Sequence, residues 1–306
     1  MNKKEKYKLL CKENPIPLFS QWYWLDSVCG KDDWDVIILE NGNEILATIP
    51  YSISIDEFGN KVIQKIPLTQ NNGAFIFYRK DIEKYETRLS FEMKVINLVI
   101  DEIEKLPIKK YRQYYHYNFT NWLPFYWRGY KQTTRYTYVI DKNKTIDEIY
   151  KGFDGQIRKA LKKAEKSLEV KENLDSKIFY SLVEKTYSRQ NIKIPFGYDT
   201  LKNIYKNLEE NNSLKIFYAV DKEKNIHSAV LMGIDQESVY YLISGTDEKF
   251  RNSQALTLLI YQGILLAIKE NKKFDFEGSM KKNIEIFFRK FGAEQKQYFD
   301  ISKEYL

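Results

Sequence analysis

Two acidic residues in the segment FDFEG, residues 274–278, are the side chains best suited to acid–base chemistry. The alternation of apolar and acidic residues predicts a β-strand that places Asp275 and Glu277 together on one face. Two partly buried carboxylates raise each other's pKa toward the range that a general base needs. We therefore assign Glu277, and after it Asp275, as candidate catalytic bases, with a solvated strand edge as the alternative.

A polar turn, residues 251–254, precedes a strongly apolar helical stretch, and its sequence is RNSQ. The backbone N–H groups at the start of a helix point outward and bind anions. We assign Arg251, Asn252 and Ser253 to a phosphate-bearing donor, and we add Ser244 at the end of a predicted strand. A helix start with an ordinary polar cap is the alternative.

Two further segments are candidates for binding the acceptor or a phosphate. Residues 153–168 place apolar side chains at helical spacing, and five Lys or Arg side chains cover the other side. We assign Arg158 and Lys159 to a nucleotide diphosphate or a tRNA backbone, because clustered cations bind phosphates. In the aromatic stretch 114–130, Trp122 and Tyr126 are assigned to one wall of an acceptor cleft. A solvated helix face and a packed domain junction are the respective alternatives.

Composition limits the class of protein. The chain has 306 residues and a net charge of +7, with two histidines and two cysteines. Two histidines disfavour His-based catalysis, and Cys11 and Cys29 lack a metal or redox spacing, so we expect no metal and a cytoplasmic protein with reduced thiols. The longest apolar run, residues 256–268, is too short to cross a bilayer, so no membrane span is expected, and the sequence indicates no obligate protein partner.

The order of predicted elements indicates two domains, 1–138 and 139–306. The last segment is expected either to stay in the second domain or to return to the first. In the first, strands at 34–40 and 44–54 flank an Asn41-Gly42 hairpin turn, and a helix is expected at 85–106 with Leu89, Met93, Ile96 and Ile100 on one face. In the second, helices beginning at 146, 174 and 198 precede strands at 214–221, 226–234 and 238–244. A helix, the FDFEG strand, a second helix and a strand at 298–301 complete the order.

Several motifs in that order resemble the GNAT acyltransferases, and among them the two-domain Fem-type family. The resemblance rests on PLFSQWYWLDSVCG with WDVIILENGNEILATIPY, on GQIRKALKKAEKS, and on FDFEGSM followed by IEIFFRKFGA. It implies an α/β (α+β) fold of two tandem GNAT-like domains, each a mostly antiparallel mixed sheet flanked by helices. Acyl-coenzyme A or aminoacyl-tRNA is the implied co-substrate.

The chain departs from the family's patterns at two places. The family's coenzyme A turn reads R/Q-x-x-G-x-G/A, whereas Gln254 and Leu256 occupy the glycine positions here. Phe288 stands where many GNAT enzymes carry Tyr and Fem-type ligases tend to carry Lys. Lys281, Lys282 or Arg289 are the alternative polar groups in that helix.

The resemblance implies an N-acyltransferase that moves an acyl or aminoacyl group to an amine on a cell-envelope or polysaccharide precursor. The expected acceptor is a small-molecule amine or a nucleotide-linked amine. An aminoacyl-tRNA-dependent peptidoglycan bridge ligase is one alternative. A non-catalytic nucleotide- or RNA-binding module on a GNAT scaffold is another.

Overall fold

The computed structural model describes residues 1–79 and 81–305, which divide into two units. Residues 1–135 and 297–306 form the first unit, and residues 136–296 form the second. The chain therefore leaves the first unit once and comes back to it through its last strand.

Within its described residues, the first unit carries four helices, one 3-10 helix at Leu18–Ser20, and two groups of strands. Its helices are α1 (Lys3–Glu13), α2 (Trp22–Val28), α3 (Tyr85–Glu104) and α4 (Leu123–Trp127). Strands β1 (Asp35–Asn41), β2 (Glu44–Tyr51) and β5 (Phe75–Ile76) form one antiparallel sheet. Strands β3 (Ile53–Ile55), β4 (Lys61–Ile63) and β6 (Lys110–Tyr114) form a second group, which β13 (Glu294–Glu304) joins through its pairing with β6.

The second unit is one mixed sheet with helices packed on it. Its helices are α5 (Ile146–Gly152), α6 (Gly155–Glu165), α7 (Ser176–Arg189), α8 (Tyr198–Glu210), α9 (Ala255–Lys269) and α10 (Lys282–Arg289). Its strands lie in the order β7 (Lys131–Ile140), β12 (Lys273–Asp275), β11 (Ser238–Thr246), β10 (Ile226–Ile234), β9 (Leu214–Val220) and β8 (Glu169–Glu172). Only the β11–β12 pair among these is parallel.

The predicted meander of β9, β10 and β11 is confirmed, and so are helices that begin near residues 146, 174 and 198. The first of these ends at Gly152 and is followed by a separate helix, α6. Local capping explains where two of the helices begin. Thr145 and Glu148 form a reciprocal capping box at the start of α5, and Asp154 accepts a hydrogen bond from the Gln156 N–H at the start of α6. The apolar face of α6 then buries Ile157 and Leu161 in the core of this unit.

Two predictions about local structure are wrong, and a third is confirmed only in part. The strand predicted for FDFEG ends at Asp275, because Glu277 and Gly278 both adopt a left-handed backbone. The turn predicted at 251–254 is the end of a 3-10 helix, Glu248–Ser253, followed by Gln254 in the left-handed region. In α3, Ile96 and Ile100 of the predicted apolar face are fully buried, but Leu89 and Met93 are only half-buried. Val95, Val99 and Ile103 complete the fully buried face.

Candidate active site

The two central parallel strands of the second unit separate after a short pairing. Residues 238–240 of β11 pair with residues 273–275 of β12, but β11 continues to Thr246. Within residues 1–79 and 81–305, no strand pairs with β11 on that side beyond Tyr240. The backbone N–H and C=O groups of this open edge are therefore available to a ligand.

Asp275 is the last residue of β12 and its side chain is fully buried at this point of separation. The Thr137 hydroxyl and the Glu277 backbone N–H both donate to Asp275 Oδ1, at 2.5 and 2.8 Å. Asp275 Oδ2 is buried and has no hydrogen-bond partner among the described residues. Burial raises the pKa of Asp275 to about 6 against the opposing effect of those hydrogen bonds, and the Asp235 carboxylate adds to the rise.

The two acids were expected to raise each other's pKa, but a neighbouring Glu277 charge is not the main cause of the raised Asp275 pKa. Burial dominates the shift at Asp275, and the like charge that adds to it is Asp235. Asp275 instead acts on Glu277 through the backbone, by accepting its N–H.

Glu277 occupies a backbone conformation that is unfavourable for a residue with a side chain. Its φ is 59°, and Gly278 follows with φ 65°. At Gly278 a Cβ atom would lie 2.1 Å from the Tyr136 carbonyl oxygen, so only glycine fits against β7 there. The close approach of Gly278 and the hydrogen bond to Asp275 together fix Glu277, half-buried, just past the end of β12. A strained non-glycine residue of this kind is a hint of function.

Tyr241 is the first residue of β11 beyond its pairing with β12, and no pattern in the sequence distinguishes it. The Tyr241 hydroxyl lies 2.5 Å from Ser244 Oγ. Residues three apart in a regular strand point to opposite faces, but Leu242 is bulged out of the pairing with β10, so Tyr241 and Ser244 share one face. Burial raises the pKa of Tyr241 to about 12 and the nearby Glu277 carboxylate adds to the rise, so the phenol stays protonated at neutral pH.

The predicted donor turn lies on the short helix between β11 and α9. Arg251 and Asn252 are exposed, while Ser253 Oγ accepts the N–H of Ala255, the first residue of α9, at 3.3 Å. Lys163 of α6 donates to the Asn252 carbonyl at 2.8 Å. The basic side of α6 therefore adjoins the donor turn.

Comparison with known proteins places this arrangement in a family. Residues 151–279 match the acetyltransferase (GNAT) domain family. A crystal structure of FemX aligns with a TM-score of 0.73 at 13% identity, over 98% of this chain and 96% of that one. Residues 151–279 are therefore a GNAT-type acyltransferase domain, and the whole chain has the fold of FemX.

Two other solved structures show the same fold at low identity. L-PGS from Bacillus licheniformis aligns with a TM-score of 0.57 at 12% identity, over 98% of this chain and 91% of that one. A tandem GNAT protein from the clavulanic acid biosynthesis pathway aligns with a TM-score of 0.50 at 6% identity, over 89% and 84%. No curated protein sequence matches the acyltransferase. These likenesses show the fold, which is the predicted mixed α/β architecture of tandem GNAT-like domains.

The remaining residues assigned from the sequence lie in α6 and at α4: Arg158, Lys159, Trp122 and Tyr126. Lys159 is exposed on α6, whereas the neighbouring Arg158 guanidinium donates to the carbonyls of Lys151 and Phe153. Arg158 thus holds the end of α5 as well as carrying charge. In the first unit Trp122 packs edge-on against Tyr126, whose side chain is 60% exposed.

Phe288 of α10 is a core residue. It packs against Phe276 and Tyr241, with ring centroids 5.0 and 5.8 Å away. The resemblance predicts Tyr or Lys at this position, and Phe288 supplies neither polar group. Tyr241 of β11, which packs against Phe288, carries a hydroxyl.

In the part of the chain that the structure describes, no helix combines the length and apolarity needed to cross a membrane. Across the same residues, no three His, Cys, Asp or Glu side chains are grouped so that they could hold a metal ion.

Proposed function

We propose that the acyltransferase moves an aminoacyl group from tRNA to an amine on a cell-envelope or polysaccharide precursor. The observation that carries this proposal is the pair of acids at the end of β12, where β11 leaves its partner strand. Asp275 holds the Glu277 backbone there, and Tyr241 and Ser244 lie on the adjacent strand.

In the proposed reaction Glu277 is the base and Tyr241 the acid. Glu277 accepts a proton from the substrate ammonium, and the freed amine attacks the carbonyl carbon of the aminoacyl ester. A C–N bond forms, the ester C–O bond breaks, and the departing ribose oxygen takes a proton from Tyr241. The second proton that the attacking nitrogen loses returns to Tyr241 and restores the phenol. Because the Asp275 side chain is fully buried and accepts the Glu277 N–H, Asp275 serves as a positioning residue for Glu277 and does not contact the substrate.

The structure of the donor turn favours tRNA over coenzyme A. Gln254 keeps the left-handed φ of 66° that glycine adopts easily, but its side chain and that of Leu256 stand where a glycine cradle would let a pyrophosphate approach the backbone. These residues do not fit the pyrophosphate of coenzyme A. The exposed lysines of α6 adjoin the turn through Lys163, and such a surface suits an extended phosphate backbone.

An acyl-coenzyme A donor is the second candidate, and the match of residues 151–279 to an acetyltransferase domain favours it. The two donors differ in a simple binding test. Aminoacyl-tRNA should raise the melting temperature of the full chain, whereas acetyl-coenzyme A should leave it unchanged. The reverse result would assign the donor to coenzyme A.

Catalysis is tested with Glu277→Gln, using labelled aminoacyl-tRNA and a nucleotide-linked amine precursor as acceptor. Transfer should slow by about a hundredfold or more, because a positioned base contributes that much, while tRNA affinity stays the same. Glu223→Gln, in the exposed turn between β9 and β10, is the matched control and should transfer at the parental rate. Parental activity of Glu277→Gln would remove Glu277 from the mechanism. A chain that transfers nothing from either donor would favour a binding module on a GNAT scaffold.

A further inference from the structure

Three cationic side chains surround one tyrosine ring in the first unit. The Arg135 guanidinium carbon lies 4.8 Å from the centre of the Tyr114 ring, Lys65 Nζ lies 5.4 Å from it, and the Arg112 guanidinium carbon lies 5.6 Å from it. These residues come from the loop after β4, from β6 and from β7, so the sheet brings together positions 70 residues apart in the chain. We call Lys65, Arg112, Tyr114 and Arg135 the cationic cluster.

Two of the cations differ in their charge environment. Arg112 makes a bidentate ion pair with the buried Asp300 carboxylate, with N···O distances of 2.9 and 2.6 Å. Arg135 forms no ion pair with any described residue, and its Nε is buried without a hydrogen-bond partner. One carboxylate thus neutralises Arg112, while the Arg135 charge has no counterpart on the described chain.

Packing alone does not account for Arg135. An exposed cation–π contact contributes roughly 0.5–1 kcal/mol, whereas a buried N–H donor left without an acceptor costs about 1–3 kcal/mol. Bringing Arg135 close to Lys65 and Arg112 adds repulsion between like charges. An anionic ligand would reduce the repulsion between these cations and would accept hydrogen bonds from the planar guanidinium donors.

We propose that the cationic cluster binds a phosphate group of a small ligand, with Arg135 donating its free N–H groups to the phosphate oxygens. Phosphate offers three acceptor oxygens and suits the fork of a guanidinium, and Lys65 adds a second charge at the same ring. Inorganic pyrophosphate and a nucleoside diphosphate share this chemistry. All four residues belong to the first unit, which includes β7 as far as Arg135, whereas Asp275, Glu277 and Tyr241 belong to the second.

Direct titration of the full chain with inorganic pyrophosphate tests the site. Pyrophosphate should bind the parent, and Arg135→Gln should weaken that binding by about tenfold or more, as expected for loss of one charge-assisted donor pair. Lys131→Gln removes the same charge from an exposed position on the same strand and should change the affinity less than twofold. No pyrophosphate binding by the parent, or equal losses in both variants, would overturn the proposal.

Two further arms make the outcome decisive. Arg135→Lys keeps the charge but not the planar fork, so it should fall between the parent and Arg135→Gln, and it serves if the Gln variant does not fold. A nucleoside diphosphate that binds more tightly than pyrophosphate and loses the same factor in Arg135→Gln assigns the phosphate to a nucleotide-linked ligand. A failed transfer assay leaves these binding results intact, so the two proposals fail separately.

Discussion

At the scale of single residues, two of the three positions after Phe274 carry features that destabilise the folded protein. Asp275 is a carboxyl group in a fully buried site, and Glu277 has a left-handed backbone. Both features lower the stability of the folded protein. Their proximity to an open strand edge gives a reason for retaining them, because a base must be held in a fixed position.

The first prediction concerns the pH dependence of stability at Asp275. The pKa of this group is raised to about 6 in the folded protein, from 3.8 in the unfolded chain. The folded state therefore keeps a proton that the unfolded state releases between about pH 4 and pH 6, so stability falls as pH rises through this window and stays reduced above it.

Asp275→Asn removes the titration but keeps an oxygen that can accept from Thr137 and from the Glu277 N–H. The variant should equal the parent below pH 4 and should exceed it above pH 6 by on the order of 3 kcal/mol, in urea denaturation followed by circular dichroism. Asp32→Asn, at an exposed position, should not show this change. A parent whose stability is flat between pH 4 and 6 would contradict the assignment.

The second prediction separates stability from activity at Glu277. Glycine adopts φ 59° without strain, so Glu277→Gly should stabilise the fold by roughly 1 kcal/mol while it abolishes transfer. Asn191→Gly replaces another left-handed residue, in the exposed turn after α7, and should leave transfer unchanged. If Glu277→Gly were both less stable and active, the strained acid would be a structural feature only.

At the scale of elements, alternation and turn residues were sufficient for the meander of β9 to β11, since each strand is apolar and each turn is polar. They were insufficient at β12. The alternation of FDFEG continues to Glu277, but the strand stops two residues earlier because Gly278 packs against the Tyr136 carbonyl. The bulge at Leu242 is likewise invisible in the sequence, so Tyr241 was missed although Ser244 was selected.

The basic face of α6 gives the third prediction. Lys159, Lys162 and Lys166 are exposed and form no ion pair with a described residue. Replacing all three with Gln should weaken tRNA binding and reduce the slope of log affinity against log salt by roughly 2, because each phosphate contact contributes about 0.7–0.9. Lys163 is left in place because it holds the Asn252 carbonyl.

A matched triple variant on another helix controls for total charge. Lys177, Lys202 and Lys206 are exposed on α7 and α8, and their replacement with Gln should leave the salt slope unchanged. Equal slopes in the two triple variants would show that the protein attracts tRNA through net charge alone, and α6 would lose its assigned role.

At the scale of the whole molecule, the path of the chain makes the first unit depend on residues that come last in the sequence. Strand β13 pairs with β6 over five residue pairs, from Asp300 with Tyr114 to Glu304 with Lys110. Ile301 is fully buried in the core of the first unit, beside Phe299. The first unit therefore cannot complete its core until the second has been synthesised.

The fourth prediction uses this connectivity. All five tryptophans, at positions 22, 24, 34, 122 and 127, lie in the first unit, so tryptophan fluorescence follows that unit alone. Ile301→Ala opens a cavity in the core of the first unit and should lower its unfolding free energy by about 2–4 kcal/mol. The midpoint of the fluorescence transition should fall accordingly. The matched control is Glu304→Ala on the same strand. Its ion pair with Lys110 is mostly exposed, so the change should be under about 0.5 kcal/mol. If Ile301→Ala left the tryptophan transition in place, the last strand would not be part of the first unit's core, and residues 1–135 would fold without it.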